Sequence, residues 1–429
     1  MHIYFSGIGG AGIGPLALVA KQAGYTVSGS DKQASQYTDY LKKQGVKDIH
    51  VGQSVQSIAK IHLAKPIDWF VYSSALDKEN PNHPELEFAR SHGIKVSKRD
   101  ELLNQILTEK KLKMVAIAGT HGKTTTTAMV IWLFKQLNIP LSYSVGAKIS
   151  FGEMGQFVPG SQYFAYEADE FDRNFLAFKP YLSLITGVSW DHHEIFPTRD
   201  NYKEAFTDFI DQTNWTLIWA EDNKYLGLEP SKHYSVEKAD NPLIKSLTIA
   251  GHYNRLDAWL AIRAVHELTK TSVAELIKYM NDFPGSQRRM EQIVSGLYSD
   301  YAHTPEKIKG GMSVALEMAK DKKLVVVYEP LTNRRQHYMK DDYQDCFKGA
   351  SQVYWVPSYL AREDPAQRVI PPAELVERLT DPGIAKAMDR DDKLRQTIQR
   401  HLKAGDMVVG MAGGGGDSLD EWLRERFKT

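Results

Sequence analysis

The seven residues Gly119-Thr120-His121-Gly122-Lys123-Thr124-Thr125 carry the most specific chemistry in this chain. They follow an apolar run, MVAIAG, and open a long helical pattern, the setting in which backbone N–H groups converge on a phosphate. In such a loop the amides cradle a β-phosphate, Lys123 offsets charge on the β- and γ-phosphates, and the Thr124 hydroxyl reaches Mg2+. The strict form of the loop has glycine where this chain has Ile117, so a chance helix start is the bland alternative.

Acids follow where a metal bound to that phosphate would want them. Glu167-Ala168-Asp169-Glu170 ends the strand-like run YFAYE, and Asp191-His192 ends LITGVSWD, placing carboxylates and an imidazole at the C-terminal edge of a sheet. Mg2+ takes one or two carboxylates plus phosphate and water, which makes Glu167 the partner for the Lys123 loop. Without that loop both clusters would read as solvated surface. A second glycine turn, Gly7-Ile8-Gly9-Gly10-Ala11-Gly12, fits GxGxxG, with Asp31 at the end of the next strand. Taken alone this suggests NAD; physically it requires only a diphosphate close to a helix N-terminus, which a UDP-sugar also supplies. Arg288 and Arg289 follow a break at FPGSQ, Asp300 ends a strand, and an arginine against a transferring phosphoryl group is worth orders of magnitude in rate. Gly413 to Gly416 precede a helix for which Asp417 is the expected N-cap.

These loops need strands and helices to hold them. The chain has 429 residues, enough for about three domains. A strand HIYFS, a glycine turn, a helix over 15–23 and a strand TVSGSD make half of a doubly wound sheet. The Lys-rich TEKKLK reads as a linker near 105–113, MVAIAG restarts an α/β unit, and a further set of strands follows FPGSQRR. The fold class is therefore α/β, in three domains: 1–107, 108–284 and 285–429. Lys plus Arg and Asp plus Glu each total 53, so no global charge favours nucleic acid or a membrane surface. One cysteine, Cys346, excludes an internal disulfide and suits a reducing cytoplasm. No run approaches the roughly 20 apolar residues that span a bilayer.

In their order along the chain, GIGGAGIGPLA, VSGSD, VYSSAL, AGTHGKTTTT, EADEFD, WDHHEIF, GHYNRLDA, FPGSQRRME, SDYAHTPEKI, YEPLTNRR and MAGGGGD resemble the Mur ligase family from end to end. The resemblance implies a Rossmann-like domain for UDP-N-acetylmuramate, a central P-loop ATPase-type domain, and a Rossmann-like C-terminal domain for the amino substrate. It implies ATP and Mg2+ as cofactors, with Lys123 and Thr124 on phosphates and metal, and Glu167 and His192 on the metal. It puts Asn254 on adenine, Arg288 or Arg289 on phosphates, Asp300 on ribose, and His303 and Arg335 on the nucleotide or amino-substrate side. Gly9, Gly10, Ala11, Gly12, Asp31, Ser73 and Ser74 would contact the sugar nucleotide. The implied reaction joins L-alanine to the lactyl carboxylate through an acyl phosphate; WDHHEIF and EPLTN look more like the ligase that attaches a recycled tripeptide, which keeps that acceptor open. The expected protein is cytoplasmic, a monomer or homodimer. An NAD oxidoreductase would use only the first glycine turn and Asp31. A nucleotide switch would bind ATP without forming an amide.

Overall fold

The computed structural model describes residues 1–10, 12–73, 76, 80, 82–192, 195–229, 231–285, 288–360, 363–364, 366–414 and 417–427. Ala11 and Ser74, both expected at the sugar nucleotide, lie outside them. The chain packs as two compact units, one of Met1–Leu247 with Asp257–Phe283, the other of Thr248–Leu256 with Pro284–Thr429.

The first unit holds two sheets. In one, β1 (His2–Ser6), β2 (Thr26–Asp31), β3 (Asp48–Val51), β4 (Trp69–Tyr72) and β5 (Lys95–Lys98) run parallel in the order β3-β2-β1-β4-β5. Strand order reverses at β1, so the crevice for a ligand opens past the ends of β1 and β4. The other contains β6 (Lys113–Ala118), β7 (Ser142–Ser144), β8 (Gly155–Gln156), β9 (Tyr163–Glu167), β10 (Leu182–Ile185), β11 (Thr216–Trp219) and β12 (Tyr234–Glu237). Its order is β12-β11-β10-β6-β9-β7-β8, with only β8 antiparallel to its neighbour. Here the reversal falls at β6, between β9 and β10.

The apolar runs explain these placements. Strands covered by helices on both faces lose the polar alternation of half-exposed strands, and β1, β4 and β10 are buried at every position. Ile3 and Phe5 of β1 point into a core continuous with Phe164 and Ile185 of the second sheet, while Tyr4 points into a separate cluster with Phe70 and Ile58. The linker expected at TEKKLK is shorter than the sequence suggests: the helix Arg99–Glu109 takes its first two residues because Leu102, Leu103, Ile106 and Leu107 bury one face, and β6 takes its last.

The second unit has one sheet of β13 (Glu291–Val294), β14 (Leu297–Asp300), β15 (Leu324–Glu329), β16 (Gln352–Trp355), β17 (Ala385–Ala387) and β18 (Met407–Ala412), in the order β13-β14-β18-β15-β16-β17. β13 and β14 form an antiparallel hairpin turned at Gly296, whose φ is +82°. Val326 and Tyr328 enter the core on one face of the sheet, Val325 and Val327 that on the other. The expected cap at Asp417 is not made. The last helix starts at Leu419, its amide is 3.1 Å from both carboxylate oxygens of Glu329, and the amide of Asp417 donates to Glu421 Oε2 instead.

Candidate active site

The Lys123 loop leaves β6 and enters the helix Lys123–Gln136, with Gly122 as N-cap at φ +78°. That backbone suits glycine, and a Cβ there would sit 2.5 Å from Asp257 Oδ1. No side chain caps the helix and no acid occupies its first turn, so its leading N–H groups keep their positive end for an anion.

The Lys123 ammonium donates to the Gly119 carbonyl at 2.6 Å and to Glu170 Oε2 at 2.7 Å. Burial by itself would lower its pKa, but the carboxylates of Glu170, Asp169 and Glu167 outweigh burial and raise it, so the cation stays charged. Thr124 Oγ1 donates to Glu167 Oε1 at 2.7 Å, and the other oxygen of Glu167 accepts the Gly146 amide at 2.7 Å. Thr120 ties the loop to the segment after β10, donating to the Ser189 carbonyl and lying 2.7 Å from the Tyr202 hydroxyl. His121 Nε2 lies 3.3 Å from Ser189 Oγ, and Thr125 is buried.

The structure thus brings Lys123, Thr124 and Glu167 together at one edge. It places His192 on the far side of Glu170, with Nε2 3.6 Å from Glu170 Oε1. Glu170, fully buried, is the organising acid, standing between Lys123 and His192. Its place three residues after Glu167 was visible in the sequence; its pairing was not. The oxygen donors of Thr124 and Glu167 suit a hard cation such as Mg2+, although no group of three or more His, Cys, Asp or Glu able to hold a metal occurs among the described residues. Two protein oxygens are what Mg2+ needs when phosphate and water complete its shell.

The first glycine loop is built on backbone. Gly7 and Ile8 donate to the Ser30 carbonyl, Gly10 to that of Gly7, and Gly9 to Asp31 Oδ2 at 2.8 Å. Asp31 therefore braces the loop with one of its oxygens. Ser73 Oγ is 3.6 Å from where a Cβ on Gly7 would stand. At Gly12 a Cβ would collide with the guanidinium of Arg99, a residue for which the sequence offered no motif.

The remaining candidates lie in the second unit. Asp300 accepts the Ala302 amide at 2.9 Å and the Met290 amide at 3.0 Å; burial raises its pKa against the opposing pull of Arg289 and Arg288. Arg288 is committed to the glycine loop, donating to Gly414 O at 2.9 Å and Ala412 O at 2.7 Å. Arg289 lies 5.3 Å from the Tyr301 ring centre and makes no hydrogen bond or ion pair among the described residues. His303 is buried with Nδ1 2.7 Å from Tyr301 O. Burial, then Lys307, Arg335 and Arg289, hold its imidazole well below the usual value, so it is neutral. Asn254 donates to Ala250 O at 2.9 Å, and the Arg335 amide to Thr332 Oγ1 at 3.4 Å.

Residues 2–111 match the description "Mur ligase family, catalytic domain", residues 117–250 "Mur ligase middle domain", and residues 288–414 "Mur ligase, glutamate ligase domain". The UDP-N-acetylmuramate–L-alanine ligase of Acetivibrio thermocellus is 28% identical over 454 aligned positions, covering 96% of this chain and 93% of that protein. In fold the chain is similar to UDP-N-acetylmuramate-alanine ligase from Thermotoga maritima, with a TM-score of 0.79 at 23% identity over 99% of this chain and 98% of that one. It is also similar to a murein peptide ligase from Psychrobacter arcticus, with a TM-score of 0.65 at 21% identity over 100% and 99%.

Proposed function

Because the chain belongs to the Mur ligase family, we propose that it uses ATP to join L-alanine to the lactyl carboxylate of UDP-N-acetylmuramate, releasing ADP and phosphate. The observation that carries this reading is the buried Lys123–Glu170 pair beside Thr124 and Glu167, at the edge of a sheet whose neighbour presents a second, uncharged glycine loop.

A carboxylate is a poor electrophile because its leaving group would be oxide. One carboxylate oxygen therefore attacks the γ-phosphorus, the bond to the bridging oxygen breaks, and ADP departs from an acyl phosphate. The amine nitrogen then attacks the acyl carbon, phosphate leaves with the C–O electrons, and the surplus N–H proton passes to a base, for which Glu167 and His192 are the candidates. Every reactant but the amine is anionic, so electrostatic repulsion dominates the barrier. Lys123 meets it with a fixed charge that needs no rearrangement from solvent. Mg2+ held by Thr124 and Glu167, with His192 nearby, would supply further positive charge at the phosphates. In the second unit Arg289, free of the carbonyl bonds that engage Arg288, is assigned to phosphate, Asp300 to ribose, Asn254 to adenine, and His303 and Arg335 to the amino-substrate side.

The test is phosphate release with ATP, Mg2+ and UDP-N-acetylmuramate, offered L-alanine or the L-Ala-γ-D-Glu-diamino acid tripeptide. Release that requires both the sugar nucleotide and L-alanine is the expected result. Release with the tripeptide alone would reassign the acceptor, and none with any amine would sink the ligase reading.

A further inference from the structure

Arg99 is the first residue of the helix Arg99–Glu109, directly after β5 at the C-terminal edge of the first sheet. A cation at that position works against the helix dipole, so capping does not explain it. Its guanidinium lies against the Cα of Gly12, in the first glycine loop, so closely that no other residue type fits at Gly12 without displacing it. On its other flank are the end of β9 and the acid that follows it: Tyr166, then Asp169, Asp100 and Glu167, hold its pKa up against burial. The preceding residue, Lys98, reaches the same segment, with Nζ 3.9 Å from Asp172. None of these acids takes the fork: among the described residues the Arg99 side chain makes no hydrogen bond and no ion pair.

A permanently charged, five-donor fork thus stands between the loop for the sugar nucleotide and the Glu167 edge of the ATP site, with its donors uncommitted. The diphosphate is assigned to the N-terminus of the helix Gly14–Gln22 that follows this loop, which has no side-chain cap and no acid in its first turn. What must cross from that loop toward Lys123 is the lactyl arm, which ends in the carboxylate that reacts. Guanidinium and carboxylate match in planar geometry, and such bonds are shorter and stronger than neutral ones. We propose that Arg99 grips the carboxylate of the sugar nucleotide and holds it in line for phosphorylation. This assignment rests on the function proposed above and adds to it the residue that distinguishes a muramyl nucleotide from one without the lactyl group.

The experiment is calorimetric binding of two nucleotides, UDP-N-acetylmuramate and UDP-N-acetylglucosamine, which share every group except the lactyl ether. The full chain is compared with Arg99→Ala and Arg99→Lys, each checked by thermal melt. Arg99→Ala is expected to lose about 10- to 100-fold in affinity for UDP-N-acetylmuramate and under about 3-fold for UDP-N-acetylglucosamine, with Arg99→Lys between the two. Equal losses on both nucleotides would transfer Arg99 to the diphosphate or to a structural role and overturn the proposal, as would no loss on either. A wild-type chain that binds ATP but neither sugar nucleotide would overturn the function itself, an outcome separate from any effect of Arg99.

Discussion

The two glycine loops of the first unit follow the first strand of their sheets and sit at matching switch points, yet they rest on buried carboxylates of opposite character. Under the first loop, Glu85 is fully buried and accepts the hydroxyls of Tyr4, Ser6 and Ser30, each at 2.7 Å. No cation pairs with it among the described residues, and burial pushes its carboxyl above the usual range despite those hydrogen bonds. Under the second loop, the equally buried Glu170 holds the Lys123 ammonium at 2.7 Å, with the Tyr202 hydroxyl 3.5 Å away. In the proposed function the first loop, which has no charged side chain from Gly7 to Gly12, takes its cation from outside, from Arg99. The second carries its own cation and the acid that keeps it charged.

That contrast is broken most severely at Lys123. Lys123→Ala should lower the rate of phosphate release by at least about 1,000-fold, since it removes a preorganised charge from the transferring group. It should leave calorimetric binding of UDP-N-acetylmuramate within about 3-fold of wild type, because the first loop does not use this charge. Parallel loss of both would show that the two loops do not work separately. Glu170→Gln is expected to be milder, about 10- to 100-fold in kcat/KM. Burial lowers the Lys123 pKa and Glu170 raises it, so removing the carboxylate shifts that pKa down. The alkaline limb of the pH–rate profile should then move to lower pH in the variant, with the deficit growing as pH rises. An unmoved limb would mean that Glu170 does not set the charge of Lys123.

Features carried by local sequence were readable in advance. Parallel strands buried on both faces are continuous apolar runs, and Gly7, Gly119 and Gly122 mark turns with positive φ, so the α/β units and both loops stood out. Glu167 was legible because it ends a strand, and Lys123 because its loop has a defined grammar. What was hidden depends on contacts between distant positions. Glu85 reads as an ordinary acid in the first turn of a helix, and its bond to Tyr4 spans 81 positions. Arg99 reads as a charged residue near a linker; only folding sets it against Gly12. The same blindness misassigned Asp417, whose expected capping role is taken by Glu329 from 90 positions away. It also hid the division between Arg288, spent on the carbonyls of Ala412 and Gly414, and Arg289.

The smallest effect expected is at Glu85, and its sign tests whether the first loop rests on a neutral group. A buried acid whose pKa is raised on folding is bound to its proton more tightly in the folded than in the unfolded chain. Its ionisation therefore opposes folding, and the penalty is absent well below the ordinary value of 4.5 and grows as pH rises above it. Glutamine has the same shape, keeps one oxygen to accept either from Tyr4 or from Ser6 and Ser30, which donate to different oxygens of Glu85, and cannot ionise. Glu85→Gln should thus melt slightly below wild type at pH 4, where both side chains are uncharged, and gain on it steadily toward pH 8. Catalysis should change by less than about 3-fold, since the loop above is held by its own backbone bonds to Ser30 and Gly7. The opposite trend, a deficit that widens with pH, would mean that the folded protein uses Glu85 as a carboxylate, and the two loops would then share one design after all.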